Sequence, residues 1–233
     1  MALSFSACRT PAQPISRVHE LHEGRCAVAL EAGALEEATT ECRLCLEFAP
    51  QSANCWNDLG LVHYTRGEHD EAREHFIKAI RYDQEHAQAY NNLGVLELDA
   101  NDCEDAQSRF ARALKVNPHD LQARYNLGVA RYRCGELAEA REALLALLAV
   151  SPEIADGHDF LGTIAMEQGQ LDEAIARFTQ ATRLVPGVAR YHGNLGASLE
   201  RSGRTSEAAD AFQSCLQIDP AAIPCAEGLG RAH

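Results

Sequence analysis

Apolar and polar residues follow one another along this chain at the three- and four-residue spacing of amphipathic helices, and that pattern itself repeats. In residues 87–120, Tyr90, Leu93 and Gly94 mark one apolar face, and Ala106, Phe110 and Ala113 mark another. A turn near Asn101 separates the two helices, and Pro118 stops the second because it has no N–H to continue the ladder. The arrangement recurs every 34 residues, six times, without insertion or deletion. Ala38, Ala72, Ala106, Ala140, Ala174 and Ala208 mark one site of the period, and twelve residues upstream stand Cys26, Gly60, Gly94, Gly128, Gly162 and Gly196. Leu59, Leu93, Leu127, Leu161 and Leu195 precede the five glycines, and the units close on Pro50, Gln84, Pro118, Pro152, Pro186 and Pro220. Such a period predicts an all-α solenoid of stacked helix pairs, whose function resides on a surface rather than in a pocket. The units run 19–52, 53–86, 87–120, 121–154, 155–188 and 189–222, after a tether at 1–18. The segment 223–233 begins a seventh period, with Leu229 and Gly230 in register, and is expected to cap the apolar face of the sixth unit.

The repeated residues resemble the tetratricopeptide repeat, W-x2-L-G-x2-Y followed by A-x3-F-x2-A and then P. The copy from Trp56 to Asp83 carries it most fully, with Leu59, Gly60, Tyr64, Gly67, Ala72, Phe76 and Ala79. The resemblance implies a right-handed α-solenoid of six such helix pairs over residues 19–222. Repeat 1 departs furthest, with Arg25 and Cys26 in place of Leu-Gly, as a terminal unit does.

Charge narrows the partners. The formal net charge is -13 and no basic cluster appears, which argues against nucleic acid. No apolar run is long enough to span a bilayer as a helix. Glu36-Glu37 and Asp70-Glu71 stand where second helices begin and complement the helix dipole, so they read as helix starts rather than catalytic acids. No nucleophile elbow or phosphate loop occurs. Catalysis, cofactors and small-molecule substrates are therefore not expected.

Nine cysteines are many for such a chain. In antiparallel helices, residues equally distant from the connecting turn face each other. By that rule Cys45 pairs with Cys55 about Pro50, Cys215 with Cys225 about Pro220, Cys103 with Cys134 about Pro118, and Cys26 with Cys42 inside repeat 1. Facing helix positions meet the 4.4–6.8 Å α-carbon separation of a disulfide, and four bridges imply an oxidising compartment such as a periplasm. The alternative is a set of buried thiols standing in for alanine. Cys42-x-x-Cys45 falls inside a helix rather than at its start, which disfavours redox catalysis. No second ligand pair at zinc spacing follows. His22, His158 and His192 share the site of Trp56 and Tyr90 and are read as packing residues.

Cys8 is left without a partner. It follows Leu3-Ser4-Phe5-Ser6-Ala7 and precedes a Pro-rich polar stretch, which resembles a bacterial lipoprotein processing site. Phe5 stands where leucine is usual, and the segment is short for a complete signal peptide. A plain tail is the alternative.

In the tetratricopeptide family, first helices line the concave face. By register the groove positions are Asn57, Leu61 and Tyr64, then Asn91, Val95 and Leu98, then Tyr125, Val129 and Tyr132, with Asp159, Thr163 and Met166 continuing the series. An apolar stripe with tyrosines suits a protein or peptide partner, although these side chains could equally serve packing. Six repeats, a tether, a lipoprotein-like cysteine and paired cysteines resemble the outer-membrane pilotin lipoproteins of type IV pilus systems, the Tgl, PilF and PilW family. That resemblance implies a lipid at Cys8, a site on the periplasmic face of the outer membrane, and assistance to assembly of the secretin ring through its protein subunits. A cytosolic adapter, or a repeat arm of a larger enzyme, are the rival expectations.

Overall fold

The computed structural model describes residues 17–231. Among them all regular structure is helical: α1 (Val18–Glu31), α2 (Leu35–Phe48), α3 (Ala53–Thr65), α4 (His69–Tyr82), α5 (Ala87–Asp99), α6 (Cys103–Val116), α7 (Leu121–Arg133), α8 (Leu137–Val150), α9 (Ala155–Glu167), α10 (Leu171–Leu184), α11 (Ala189–Arg201), α12 (Thr205–Ile218) and α13 (Ile223–Arg231). Two compact units divide at Pro118 and His119. The first holds α1–α6, three antiparallel pairs; the second holds α7–α12, three more, and α13.

Each pair turns on a residue with positive φ: Gly33, Gly67, Asn101, Gly135, Gly169 and Gly203. The bonding is the same at all six. At Gly67 the amide donates to the Tyr64 carbonyl at 2.9 Å, and the Glu68 amide reaches back to His63 at 2.9 Å. This Schellman closure satisfies carbonyls that the helix end orphans, and it demands a left-handed residue. Asparagine is the side chain that tolerates that region best after glycine, which explains Asn101. The second helices open without side-chain caps, and acids such as Asp70 and Glu71 fill their first turns.

Within a pair, the helices touch where the first offers no side chain. A Cβ at Gly60 would lie 2.6 Å from the Phe76 ring, at Gly94 2.8 Å from Phe110, at Gly162 2.7 Å from Phe178 and at Gly196 2.7 Å from Phe212. Phe76, Phe110 and Phe178 are wholly buried. At the chain's end Gly228 of α13, rather than Gly230, lies against Phe212, and Cys225 joins the α11–α12 core with Leu229 packed beside it.

Covalent links strengthen both ends. Cys26 bonds Cys42 across α1 and α2, with α-carbons 5.2 Å apart. Cys45 bonds Cys55 from α2 to α3, and Cys215 bonds Cys225 from α12 to α13, at 6.4 and 6.3 Å. These last two pairs occupy the same register, six less one periods apart, one at the first junction between successive pairs and one at the last. Cys103 and Cys134 are disulfide-bonded as well. Cys8 lies outside the described residues.

Candidate functional site

The expected groove positions separate into those consumed by packing and those that remain accessible. In the first unit Asn57 and Leu98 are buried, at 2% and 8% exposure. Asn57 accepts a hydrogen bond from Asn92 Nδ2 at 2.9 Å and donates to Asp58 Oδ1 at 3.2 Å. It therefore locks α3 to α5 rather than facing solvent. Leu61 and Tyr64 lean on the Phe76–Leu93–Leu96 cluster with part of their surface free, and Asn91 and Val95 are likewise half-buried. The Tyr64 hydroxyl donates to Asp99 Oδ2 at 2.5 Å.

In the second unit Tyr125 and Tyr132 are brought together by Phe160 of α9. Its ring takes both edge-on, with centroids 6.1 and 5.0 Å away. Val129 lies between them on α7 and is half-buried. The Tyr132 hydroxyl bonds Glu167. Asp159 is buried and accepts from Asn194 Nδ2 at 2.8 Å, with Arg190 Nε 3.4 Å from its other oxygen. Thr163 turns its hydroxyl to the Asp159 carbonyl at 3.1 Å, and Met166 packs against the cluster of Ala165, Ala174 and Phe178.

A single spacing organises these bonds. Tyr64 to Asp99, Tyr132 to Glu167, Asn92 to Asn57, Asn194 to Asp159 and Tyr191 to Asp156 all join residues 35 apart, one period plus one. Within each unit neighbouring first helices are thus fastened by polar rungs, and the apolar side chains between the rungs are left as an accessible strip of that unit. Sequence reasoning found the tyrosines but missed Phe160 and the rungs; the residue types carry the 35-residue offset, but a 34-residue period does not align the two ends of a rung.

Charge at the strip is controlled by the same contacts. The Tyr64 phenol is pushed up to about 12 by burial first and by its bond to Asp99 next. Tyr132 is pushed to about 12 chiefly by its bond to Glu167, and Tyr125 to about 12 by burial and the nearby Asp156. All three stay neutral hydroxyls at physiological pH, which suits desolvation against a partner.

Sequence reasoning also missed a hollow of about 500 Å³ between α11, α12 and α13. Ala189, Ala197, Phe212 and the Cys215–Cys225 sulfurs form its apolar wall, and Arg190 and Arg231 stand at its rim. It opens because Gly193 carries no side chain where Asn57, Asn91, Tyr125 and Asp159 stand in other repeats. The donor atoms of Glu23, Cys45 and Cys55 lie within 4.8 Å of one another, but the two sulfurs are bonded together and offer no thiolate to a metal. Cys42 and Cys45 are each bonded to another helix and not to each other.

His158 and His192 do what Trp56 does. Trp56 Nε1 donates to the Pro50 carbonyl at 2.9 Å, and the imidazole Nε2 atoms of His158 and His192 meet the Pro152 and Pro186 carbonyls at 2.9 Å. Each side chain ties the start of a first helix to the preceding turn.

The fold and these contacts can be set beside known proteins. The family model described as Tetratricopeptide repeat matches residues 96–156 and 161–223, and a second, described as TPR repeat, matches residues 60–99. No curated protein sequence matches the chain. Among solved structures it resembles PilF of Pseudomonas aeruginosa at 19% identity and a TM-score of 0.82, over 94% of this chain and 100% of that one. PilW, a widely conserved type IV pilus biogenesis factor, is similar at 20% identity and 0.83, over 91% of this chain and 99% of that one. A chain of the APC/C hetero-tetramer Cut9–Hcn1 is similar at 18% and 0.81, and there this chain spans only 42% of the other. At such identities the likeness is one of fold. With more than half of its residues matched by one family model, the chain belongs to the tetratricopeptide repeat family.

Proposed function

We propose that this tetratricopeptide repeat scaffold is a pilotin, a lipid-anchored protein of the outer membrane's periplasmic face that assists assembly of a type IV pilus secretin without catalysing a reaction. The observation that carries the reading is the set of disulfides stapling α1 to α2, α2 to α3 and α12 to α13. Disulfides persist in oxidising compartments and are rare where thiols are kept reduced. Cys8 supplies the anchor, and the match to PilF and PilW over nearly their entire lengths supports the same assignment. In this mechanism lipid at Cys8 concentrates the scaffold at the membrane. The aromatic strip of Tyr125, Phe160 and Tyr132, with Leu61, Tyr64 and Val95 in the other unit, then holds secretin subunits while they meet.

The test is made in the native host. Labelled palmitate is expected in the wild-type protein and not in Cys8→Ser, and secretin multimers are expected to fall in a gene deletion. The paired change Tyr125→Ala and Tyr132→Ala is expected to lose secretin subunits in a pull-down. Normal multimers in the deletion strain overturn the pilotin reading. The rival, a cytosolic adapter, draws on the equal likeness to the Cut9–Hcn1 chain. It requires all nine thiols to react in protein taken from cells without reductant.

A further inference from the structure

Among the described residues, the outer face of α1 lacks a cover that its counterparts possess. Leu21 and Val28 are 47% and 66% exposed. One period on, the same two positions are Cys55 and Val62 in α3; further on they are Ala89 and Leu96 in α5, Gly157 and Ile164 in α9, and Tyr191 and Ser198 in α11. All eight are buried. In each case the second helix of the preceding pair does the covering. Ala38 of α2 packs on Val62, Ala72 and Phe76 of α4 pack on Leu96, Leu144 and Leu147 of α8 pack on Ile164, and Ala181 of α10 packs on Tyr191.

Between Leu21 and Val28 stands Gly24, where an added Cβ would meet nothing within 4 Å. The three residues, spaced three and four apart, floor a hollow of about 700 Å³ bounded by α1 and α2. Its rim is acidic. Glu41 is taken up by His22 at 2.5 Å and Arg25 at 3.8 Å, whereas Glu20 and Glu37 are exposed and form no ion pair among the described residues.

We propose that this face of α1 is a docking site for an amphipathic helix of a partner protein, with an apolar stripe set on Leu21, Gly24 and Val28 and a basic flank set on Glu20 and Glu37. Repetition supplies the shape: a helix fits because a helix fits at every equivalent face described above. Charge supplies the partner. The chain's net charge of -13 opposes a second copy, while lysine or arginine flanks would meet the unpaired carboxylates. The site is separate from the tyrosine strip and does not rest on the pilus reading.

The test uses the full chain and a fluorescent, hydrocarbon-stapled helix of 14 residues, the length of α4, with a leucine stripe and lysine flanks. A twin with glutamate flanks is the control. Saturable anisotropy is expected for the lysine peptide, with affinity falling at least about tenfold in Val28→Asp and in Gly24→Lys. Gly24→Lys points into open space and replaces a helical glycine, so it blocks docking while α1 keeps its fold, as its melting curve will show. Undiminished binding to either variant, or equal binding of the glutamate twin, overturns the proposal. So does a dimer in light scattering that Val28→Asp dissolves, which assigns the face to a second copy. Tighter binding after removal of residues 1–16 also overturns it, because it gives the face to the chain's own leading residues.

Discussion

Cys26 and Cys42 occupy in repeat 1 the two positions that Gly60 and Phe76 occupy in repeat 2, and the disulfide between them replaces a glycine–aromatic contact with a covalent bond. The exchange has a physical reason. Interior repeats are held by neighbours on both sides, while among the described residues repeat 1 is packed on one side only, so its own helix–helix contact must be stronger. Removing the bridge with Cys26→Ala and Cys42→Ala is expected to cost roughly 2–4 kcal/mol of stability in that unit. Restoring the interior pattern with Cys26→Gly and Cys42→Phe should recover much of the loss. Thermal unfolding followed by circular dichroism, with and without reductant, checks both. A double alanine variant that melts as the wild type does would remove any stabilising role for the bridge.

Two glycines of the same helix type should respond oppositely to alanine. At Gly94 the new Cβ would sit 2.8 Å from the Phe110 ring, which is buried and cannot retreat. Overpacking there costs roughly 1–3 kcal/mol and outweighs the helix-propensity gain of about 1 kcal/mol. At Gly24 nothing lies within 4 Å, so only the gain remains. Denaturant midpoints should therefore fall for Gly94→Ala and rise for Gly24→Ala.

How much of this could be read in advance varies by residue. The helix pairs, the small-residue seam and three of the bridges follow from local arithmetic, because a solenoid's contacts are short in sequence and repeat with the period. The accessible strip was harder. Asn57 and Asp159 share the register of Tyr125, and Leu98 that of Tyr64 and Tyr132, yet all three are buried; the 35-residue polar rungs hold Asn57 and Asp159 against the next first helix. A period tells which face a residue is on and not how far the neighbouring helix covers it. Glu97 was invisible for a related reason. It is buried at 2% exposure, with Arg109 Nε at 3.3 Å and Arg73 Nη1 at 3.5 Å, and those arginines come from α6 and α4. Burial pushes its carboxyl up against the pull of both guanidiniums. Nothing in the pattern of a single repeat announces such a three-helix ion cluster.

The histidines at the aromatic site are expected to act through their N–H donors. His158 is buried, and its Nε2 meets the Pro152 carbonyl at 2.9 Å as Trp56 meets Pro50. Substituting His158→Phe keeps a ring but strands that carbonyl, at an expected cost of roughly 1–3 kcal/mol. The more accessible His192 should accept His192→Trp with little change in melting temperature, since an indole N–H can reach the Pro186 carbonyl. Equal losses at both sites would point to ring size rather than hydrogen bonding.

Asp58 makes the first unit's stability depend on mildly acidic pH. Burial, with Glu23 adding to it, pushes its carboxyl from 3.8 to about 6, although the Asn57 amide pulls the other way. The folded state thus holds a proton that the unfolded state has released throughout that interval. The group's stabilising contribution is therefore complete below the unfolded value and is lost as pH rises through about 6. Asp58→Asn keeps an oxygen for the Asn57 amide and carries no charge at any pH. The variant should melt higher than the wild type at pH 7.5, and the two curves should converge as the pH is lowered toward 4. Melting temperatures measured across that range decide the point: a constant gap between wild type and variant would exclude a titrating carboxyl at Asp58 as its source.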